Sequence, residues 1–277
     1  MRILVVGDFH GKFPMKIKKK ITKEDIDLIV SIGDYFPWSF KKEFFKYCYK
    51  TDKELWEILG KGIYKKGFLE DLSVGENILK NLNSSKTPVV TVVGNYDSHN
   101  YTDDHDVKKS KWAWINQDFF SMIIKKYSNI KRIDYGVIKI GGIVLIGAYG
   151  GSFPGKVKSK AYRKYRKKLD NLFKKYQKEN VAGKVIFVSH NVPYGSKFSK
   201  IGKGKYKGVE KGSKLIRRII DRYQPTLSLC GHMHEHQGKI RIGKTVIVNS
   251  GAVLEGKCAL INFDEIGGKV KSVEFVG

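Results

Sequence analysis

Cysteine is scarce in this chain. Cys48, Cys230 and Cys258 are an odd number, widely spaced and without a CxxC pair. That argues against a disulfide framework or a thiolate zinc site and leaves buried free thiols as the reading. Long apolar runs are also missing. None approaches the roughly 18–20 residues that a membrane span needs, so no membrane partner is expected. The opening, MRILVVGDFHG, has one charge and then a short β-branched run that meets Gly-Asp. A secretory signal needs a longer apolar stretch, so this reads as a first strand and predicts a cytoplasmic protein. Acid is the third deficit: 27 Asp/Glu face 53 Lys/Arg, a formal net charge of +26. A lysine-rich thermophile surface would be balanced by glutamate in ion-pair networks, and this one is not.

The excess charge is uneven. Between Phe153 and Arg222 there are 22 Lys/Arg against 4 Asp/Glu. Such a face attracts nucleic acid or another polyanion, or it is simply a solvated basic surface. The chain has 277 residues and 41% hydrophobic content, with no repeat and no Pro/Ser-rich linker, which predicts one domain over 1–277 with a buried core.

Five β-branched runs each end in a polar turn: RILVVGDFH (2–10), LIVSIGDYF (28–36), PVVTVVGNYD (88–97), KVIFVSHN (184–191) and TLSLCGHMH (226–234). Near-continuous apolar strands indicate sheets buried on both faces. Helical patterns lie between them. They cover an aromatic, lysine-rich insertion near 38–68, a short turn or two at 74–82, and 112–127. A fourth runs over 157–178, where Ala161, Tyr165, Leu169, Leu172 and Tyr176 make one apolar stripe. That stripe predicts core packing rather than base stacking. Hairpins are expected at Gly141-Gly142, at Gly243-Lys244 and in the tail. The basic helix and loop region 153–222 includes a Gly/Lys-rich loop, 195–212, predicted to be mobile over the site. The fold class is α/β in four layers: two packed mixed β-sheets flanked by helices.

The strand ends carry Asp8, His10, Asp34, Asn95, His190, His232 and His234. One such residue usually means a turn former, a helix cap or a packed histidine. Together they are a set of oxygen and imidazole donors without thiolate, suited to manganese, iron, zinc or nickel. Seven donors are too many for one tetrahedral ion but suit two ions that share a carboxylate. A metal pair about 3.5–4 Å apart is a recurring device for phosphoester hydrolysis.

The order D-x-H, G-D, G-N-x-D, S-H and G-H-x-H, followed by NSGA (249–252), resembles the calcineurin-like metallophosphoesterases, and HNVPYG with KGSKLIRRIIDRYQPTLSLCGHMHE looks closest to the archaeal Icc-related predicted phosphoesterases among them. The resemblance implies that fold and two divalent metal ions, manganese first, with nickel, iron or zinc as alternatives. Asp8, His10 and His234 would hold one ion, Asn95, His190 and His232 the other, and Asp34 would bridge them. It also implies in-line attack on a phosphoester by a hydroxide that the metals activate.

Many members carry a histidine between the asparagine and the acid of G-N-x-D, and here that position is Tyr96. A phenol is a far weaker acid near neutral pH than an imidazole, although it donates a hydrogen bond. Tyr96, Asp97 and His99 are therefore the candidate catalytic residues, with diesters from nucleotides or nucleic acid as preferred substrates. A monoesterase, a non-catalytic metal-binding scaffold and a nucleic-acid-binding module are the alternatives. Tyr35 and Phe36 are either core or an apolar wall that, with Trp38, would stack a base.

Overall fold

Alternation along the first strand sets the layering. In β1 (Arg2–Val6), Ile3 and Val5 point into one apolar cluster while Leu4 and Val6 point into another. Successive strand side chains face opposite ways, so a run of uninterrupted apolar residues must be covered on both sides. The computed structural model describes residues 1–97, 109–150, 157–204 and 206–277.

The order from the N-terminus is β1, α1 (Met15–Lys23), β2 (Leu28–Ser31), α2 (Lys41–Glu43), a π-turn (Phe44–Cys48), α3 (Leu55–Leu59), α4 (Lys61–Asn83), β3 (Val89–Thr91), a 3-10 turn (Ala113–Ile115), α5 (Phe119–Ile124) and β4 (Ile130–Arg132). Then follow β5 (Val137–Ile140), β6 (Ile143–Ala148), α6 (Lys160–Lys175), α7 (Gln177–Val181), β7 (Val185–Ser189), α8 (Lys214–Tyr223) and β8 (Leu227–Cys230). The chain continues through a 3-10 turn (His234–His236), β9 (Gly238–Ile242), β10 (Thr245–Asn249), a further 3-10 turn (Val253–Glu255), β11 (Cys258–Asp264) and β12 (Lys269–Val276).

Two six-stranded mixed sheets result. Their orders are β12-β11-β1-β2-β3-β4 and β5-β6-β7-β8-β10-β9. The strands β1 to β4 are parallel, as are β6, β7, β8 and β10, and the antiparallel strands lie toward the edges. The three expected hairpins are β5–β6, β9–β10 and β11–β12. Between the sheets, Val30, Val92, Ile186 and Leu229 pack with Ile3 and Val5. The outer face of the first sheet is covered by α1 and α4 through Ile17, Ile21, Leu79 and Leu82. The outer face of the second is covered by α6 and α8 through Leu169, Phe173, Ile216 and Ile219. Ser159 and Ser213 cap those two helices by accepting N–H bonds from Tyr162 and Ile216. Among the described residues no helix is long and apolar enough to cross a membrane.

Three expectations need correction. The short turn at 74–82 is the end of α4, a helix of 23 residues. Glycine lowers helix propensity and hid it, yet a Cβ at Gly75 would lie 2.0 Å from the Phe36 ring, so the residue is there for close packing. Gly75→Ala is therefore expected to cost about 1–3 kcal/mol by overpacking, more than the helix gains. A thermal unfolding midpoint at or above wild type would show that Phe36 yields. The second correction is at 112–127, which is a 3-10 turn followed by the short α5, capped by Asp118, rather than one helix. The third is the insertion near 38–68, which breaks into α2, the π-turn, α3 and the first turns of α4.

The stripe on α6 behaves as read: Ala161, Tyr165 and Leu169 are buried, and Tyr165 stacks on Tyr135 with centroids 4.1 Å apart. Tyr35 and Phe36 are fully buried, and the Tyr35 hydroxyl bonds Ser31 and Thr91, so both are core. Only Trp38 stays partly exposed. The three cysteines are buried and free.

Candidate metal centre

Every candidate donor lies just beyond the C-terminal end of a parallel strand. Asp8 and His10 follow β1, Asp34 follows β2, Asn95 follows β3, His190 follows β7, and His232 and His234 follow β8. The carboxyl ends of parallel strands are where open α/β sheets leave a crevice. Here two sheets bring five such ends to one place.

The backbone is bent to do it. Among the described residues eight non-glycine residues have positive φ, and four of them are Asp8 (53°), His10 (44°), Asp34 (59°) and His232 (64°). A left-handed conformation at a residue with a Cβ costs of the order of 1–3 kcal/mol and persists only where the surroundings enforce it. The enforcing contacts are visible. The N–H groups of Phe9 and His10 both donate to the Asp34 carbonyl, at 2.8 and 2.9 Å. Buried Asp97 accepts from the N–H groups of Asp34 and Tyr35 at 2.7 Å and of Gly94 at 2.9 Å. A Cβ on Gly94 would sit 2.1 Å from Asp34 Oδ1, so the glycine of G-N-x-D is required by the approach of that carboxylate.

The donors converge in two sets. In the first, His10 Nε2 and His234 Nε2 are 3.3 Å apart, and His234 Nε2 lies 3.2 Å from Asp8 Oδ1. In the second, His190 Nε2 is 2.8 Å from Asn95 Oδ1 and 3.1 Å from His232 Nδ1, and His232 Nδ1 is 2.9 Å from Asn95 Oδ1. Asp34 Oδ2 stands between the sets, 3.6 Å from His10 Nε2 and 3.4 Å from His190 Nε2. The His10 and His234 side chains, 17% and 30% exposed, form the open side, while His190 is fully buried at the back.

This arrangement is short of protons, which tests its fit to cations. His190 Nδ1 faces the Ile32 carbonyl at 2.8 Å, which can only accept, so in the neutral ring Nε2 presents its lone pair. That lone pair meets Asn95 Oδ1, an acceptor too, and the Asp34 carboxyl. Asp8 Oδ1 is buried, with His234 Nε2 3.2 Å away. Clusters built on Asp8, His10 and His234, and on Asp8, Asp34 and His190, have donor atoms close enough to share an ion. Borderline nitrogen and hard oxygen without sulfur fit divalent first-row metals.

The electrostatics divide the site: burial opposes a charge on His234, but its contact with Asp8 and the Asp8 and Asp34 charges outweigh it and raise that imidazole. Burial, and then the Asp8 charge, pushes the Asp34 carboxyl well above the usual carboxylate range. For Asp8, burial opposes ionisation most strongly, but the facing imidazoles of His234, His190 and His10 hold it down at about 2. Burial pushes His10 down to about 4 and His232 to about 3, keeping both rings neutral and their lone pairs free. Burial, and then the Asp34 charge, raises Asp97 to about 7.

Tyr96 sits at the open side. Its ring lies edge-on to His10 at 4.7 Å and to Trp38 at 5.2 Å, and its N–H donates to Asp34 Oδ1 at 2.8 Å. His99 lies outside the described residues. Two contributors were not legible in the sequence. Lys41, on α2, holds its ammonium 5.8 Å over the Tyr96 ring and its charge reaches His10 and Asp34. No spacing cue separates it from the other lysines of the insertion. Asn249 ties the histidine loop down, donating to the Met233 carbonyl at 3.0 Å and accepting from Gly251 N–H at 2.9 Å. Its only sequence signal is the NSGA stretch. The loop 195–212 is pinned to the turn after His234: Gly202 N–H donates to Glu235, and His236 Nε2 meets the Lys200 carbonyl at 2.6 Å.

The chain matches the family described as "Metallophosphoesterase, calcineurin superfamily" over residues 1–273, and it belongs to that family. A relative, the uncharacterized protein MJ1162 of Methanocaldococcus jannaschii, is 25% identical over 284 aligned positions, covering 97% of this chain and 98% of the relative. The crystal structure of TT1561 of Thermus thermophilus is similar with a TM-score of 0.57 at 16% identity, covering 99% of this chain and 97% of that one. A dimetal phosphatase from Danio rerio gives 0.53 at 10% identity, covering 100% and 96%. At these identities the two solved structures share the fold with this chain.

Proposed function

We propose that the protein is a phosphoesterase working with two divalent metal ions and preferring phosphodiesters derived from nucleotides or nucleic acid. The observation that carries this reading is the position of Asp34 Oδ2 between the two donor sets. Asp8, His10 and His234 would hold one ion, Asn95, His190 and His232 the other, and Asp34 both, with manganese the first metal to try. When bound, such ions lower the pKa of water and neutralise charge that develops on phosphoryl oxygens.

The chain's own residues do the rest. The Ile32 carbonyl keeps the His190 ring turned into the site. Asp97 is a positioning residue, since both its oxygens are taken up by backbone N–H groups of the two loops that present Asp34 and Asn95. The Tyr96 hydroxyl donates a hydrogen bond to a phosphoryl oxygen, and the Lys41 ammonium adds a positive charge beside it. Diesters are preferred because a singly charged phosphate needs less neutralisation than a monoester dianion, and the basic region 153–222 concentrates polyanions near the protein.

The test is hydrolysis by protein stripped and reloaded with Mn²⁺, comparing bis(p-nitrophenyl) phosphate with p-nitrophenyl phosphate. The expected result is metal-dependent turnover of both, with kcat/KM at least about tenfold higher for the diester, roughly 1.4 kcal/mol in the barrier. A higher value for the monoester overturns the diester preference. No turnover of either by metal-loaded protein overturns the enzyme.

A further inference from the structure

Beside the metal centre the insertion presents a surface of exposed aromatic rings and ammoniums. From Trp38 to Lys50 the sequence is WSFKKEFFKYCYK, six aromatic residues and four lysines against one glutamate in thirteen. Phe40 and Phe44 pack against the core, and Cys48 is buried. Phe45, Tyr47 and Tyr49 do not go in, and are 51%, 40% and 47% exposed. The π-turn contributes to this placement: the Tyr49 N–H bonds the Phe44 carbonyl five residues back at 2.8 Å, which lays Tyr49 alongside Phe44 and Phe45. Single π-turns occur frequently at functional sites.

The exposed rings are joined to the metal centre. His10 meets Tyr96 at 4.7 Å, Tyr96 meets Trp38 at 5.2 Å, Trp38 meets Phe45 at 5.9 Å and Phe45 meets Tyr49 at 5.3 Å. Lysine ammoniums accompany the path, Lys41 over Tyr96 at 5.8 Å, Lys46 over Tyr47 at 4.7 Å and Lys50 over Tyr49 at 5.5 Å. Apolar rings left in water beside the site, with cations along them, match a ligand that carries flat faces and negative charge in alternation. Single-stranded nucleic acid is such a ligand: each base stacks on an aromatic ring, and each phosphate meets an ammonium.

We propose that the shelf formed by Trp38, Phe45 and Tyr49, with Lys41, Lys46 and Lys50, binds single-stranded nucleic acid by stacking its bases and leads the strand to the metal centre. This deepens the reading of the site as a phosphodiesterase and rests on it for what happens at the metals. The shelf also has a different place from the basic region 153–222, and adds base recognition to charge.

Affinity separates the two contributions. Metal-free protein would be titrated, by fluorescence anisotropy, against a labelled short oligothymidylate and against an abasic strand of the same length and label. Wild type is expected to bind the oligothymidylate more tightly. Phe45→Ala and Tyr49→Ala are each expected to weaken that binding roughly 5- to 150-fold, the range of one lost base–aromatic stack, and to leave the abasic strand unaffected. Phe45→Trp should keep the affinity, which a merely structural role for the ring would not predict.

Equal affinity of wild type for the two strands, or alanine variants that bind both as wild type does, overturns the proposal. So does a protein that self-associates through this face, with Phe45→Ala abolishing the association and not the strand binding. Base-dependent binding together with failure to hydrolyse bis(p-nitrophenyl) phosphate would uphold the shelf and overturn the phosphodiesterase. Hydrolysis without base-dependent binding would do the reverse.

Discussion

Asp34→Asn is expected to abolish metal-dependent hydrolysis and to loosen both ions. Asparagine keeps the size of the side chain and can retain the acceptor for the Tyr96 N–H at Oδ1, so the loop geometry survives. What goes is the charge at Oδ2, which lies between His10 Nε2 and His190 Nε2 at 3.6 and 3.4 Å. Even groups one hydrogen bond removed from a metal commonly command 10- to 100-fold in affinity or activity, so Asp34, if it is the shared ligand proposed above, should command more than about 100-fold. A second readout does not involve turnover. In the metal-free protein Asp34 is a buried acid held well above its usual pKa by burial and by the Asp8 charge. Replacing it relieves that conflict, so the metal-free variant should melt no lower than metal-free wild type. Wild type should then gain stability as metal is added, because a ligand bound only by the folded state raises the midpoint, and the variant should gain much less. Two tightly held ions and wild-type turnover in Asp34→Asn would end the dinuclear assignment.

The second large effect is expected at Tyr96. Tyr96→His should raise turnover of esters with alkoxide leaving groups, by up to the roughly 10²–10⁴-fold that a positioned general acid contributes. Aryl esters, whose leaving groups need no proton, should change little. The position suits the exchange. The backbone N–H of residue 96 holds Asp34 whatever the side chain, and the ring stands at the open side beside His10 and Trp38. Steady-state kinetics on a nitrophenyl diester and a 2′,3′-cyclic nucleotide would separate the cases. An equal rise on both would mean that residue 96 binds phosphate and does not deliver the proton.

Much of the candidate site could be read from the chain because its residues sit at marked places. A β-branched run that stops at Gly-Asp, Gly-Asn, Ser-His or Gly-His announces a strand end, and the five runs that do so are the five that meet at the donors. The two sheets were legible for a related reason. Period-two alternation and apolar continuity are local properties, and Ile3 and Val5 against Leu4 and Val6 show them directly. Helix α4 was not legible as one element, because Gly62, Gly67 and Gly75 lower its propensity while the packing value of Gly67 and Gly75 depends on Phe40 and Phe36, which lie far away in sequence.

Which donor types are available, where each strand delivers them, and the lack of sulfur among them are local properties of the chain. The pairing, which only the resemblance implied, is made by tertiary structure. That His10 should face His234, that His190 should face Asn95 and His232, and that Asp34 should stand between the sets depends on loops from two sheets meeting at distances of about 3 Å. It also decided the left-handed backbone at Asp8, His10, Asp34 and His232, which local preference opposes and which the Asp34 carbonyl and the Asp97 carboxylate help to hold. The same holds for the insertion, where composition supplied aromatics and lysines. Only packing decided that Phe40 and Phe44 turn inward while Phe45 and Tyr49 stay in water. Burial is a property of what lies opposite a residue, and no residue's own neighbours in sequence specify that.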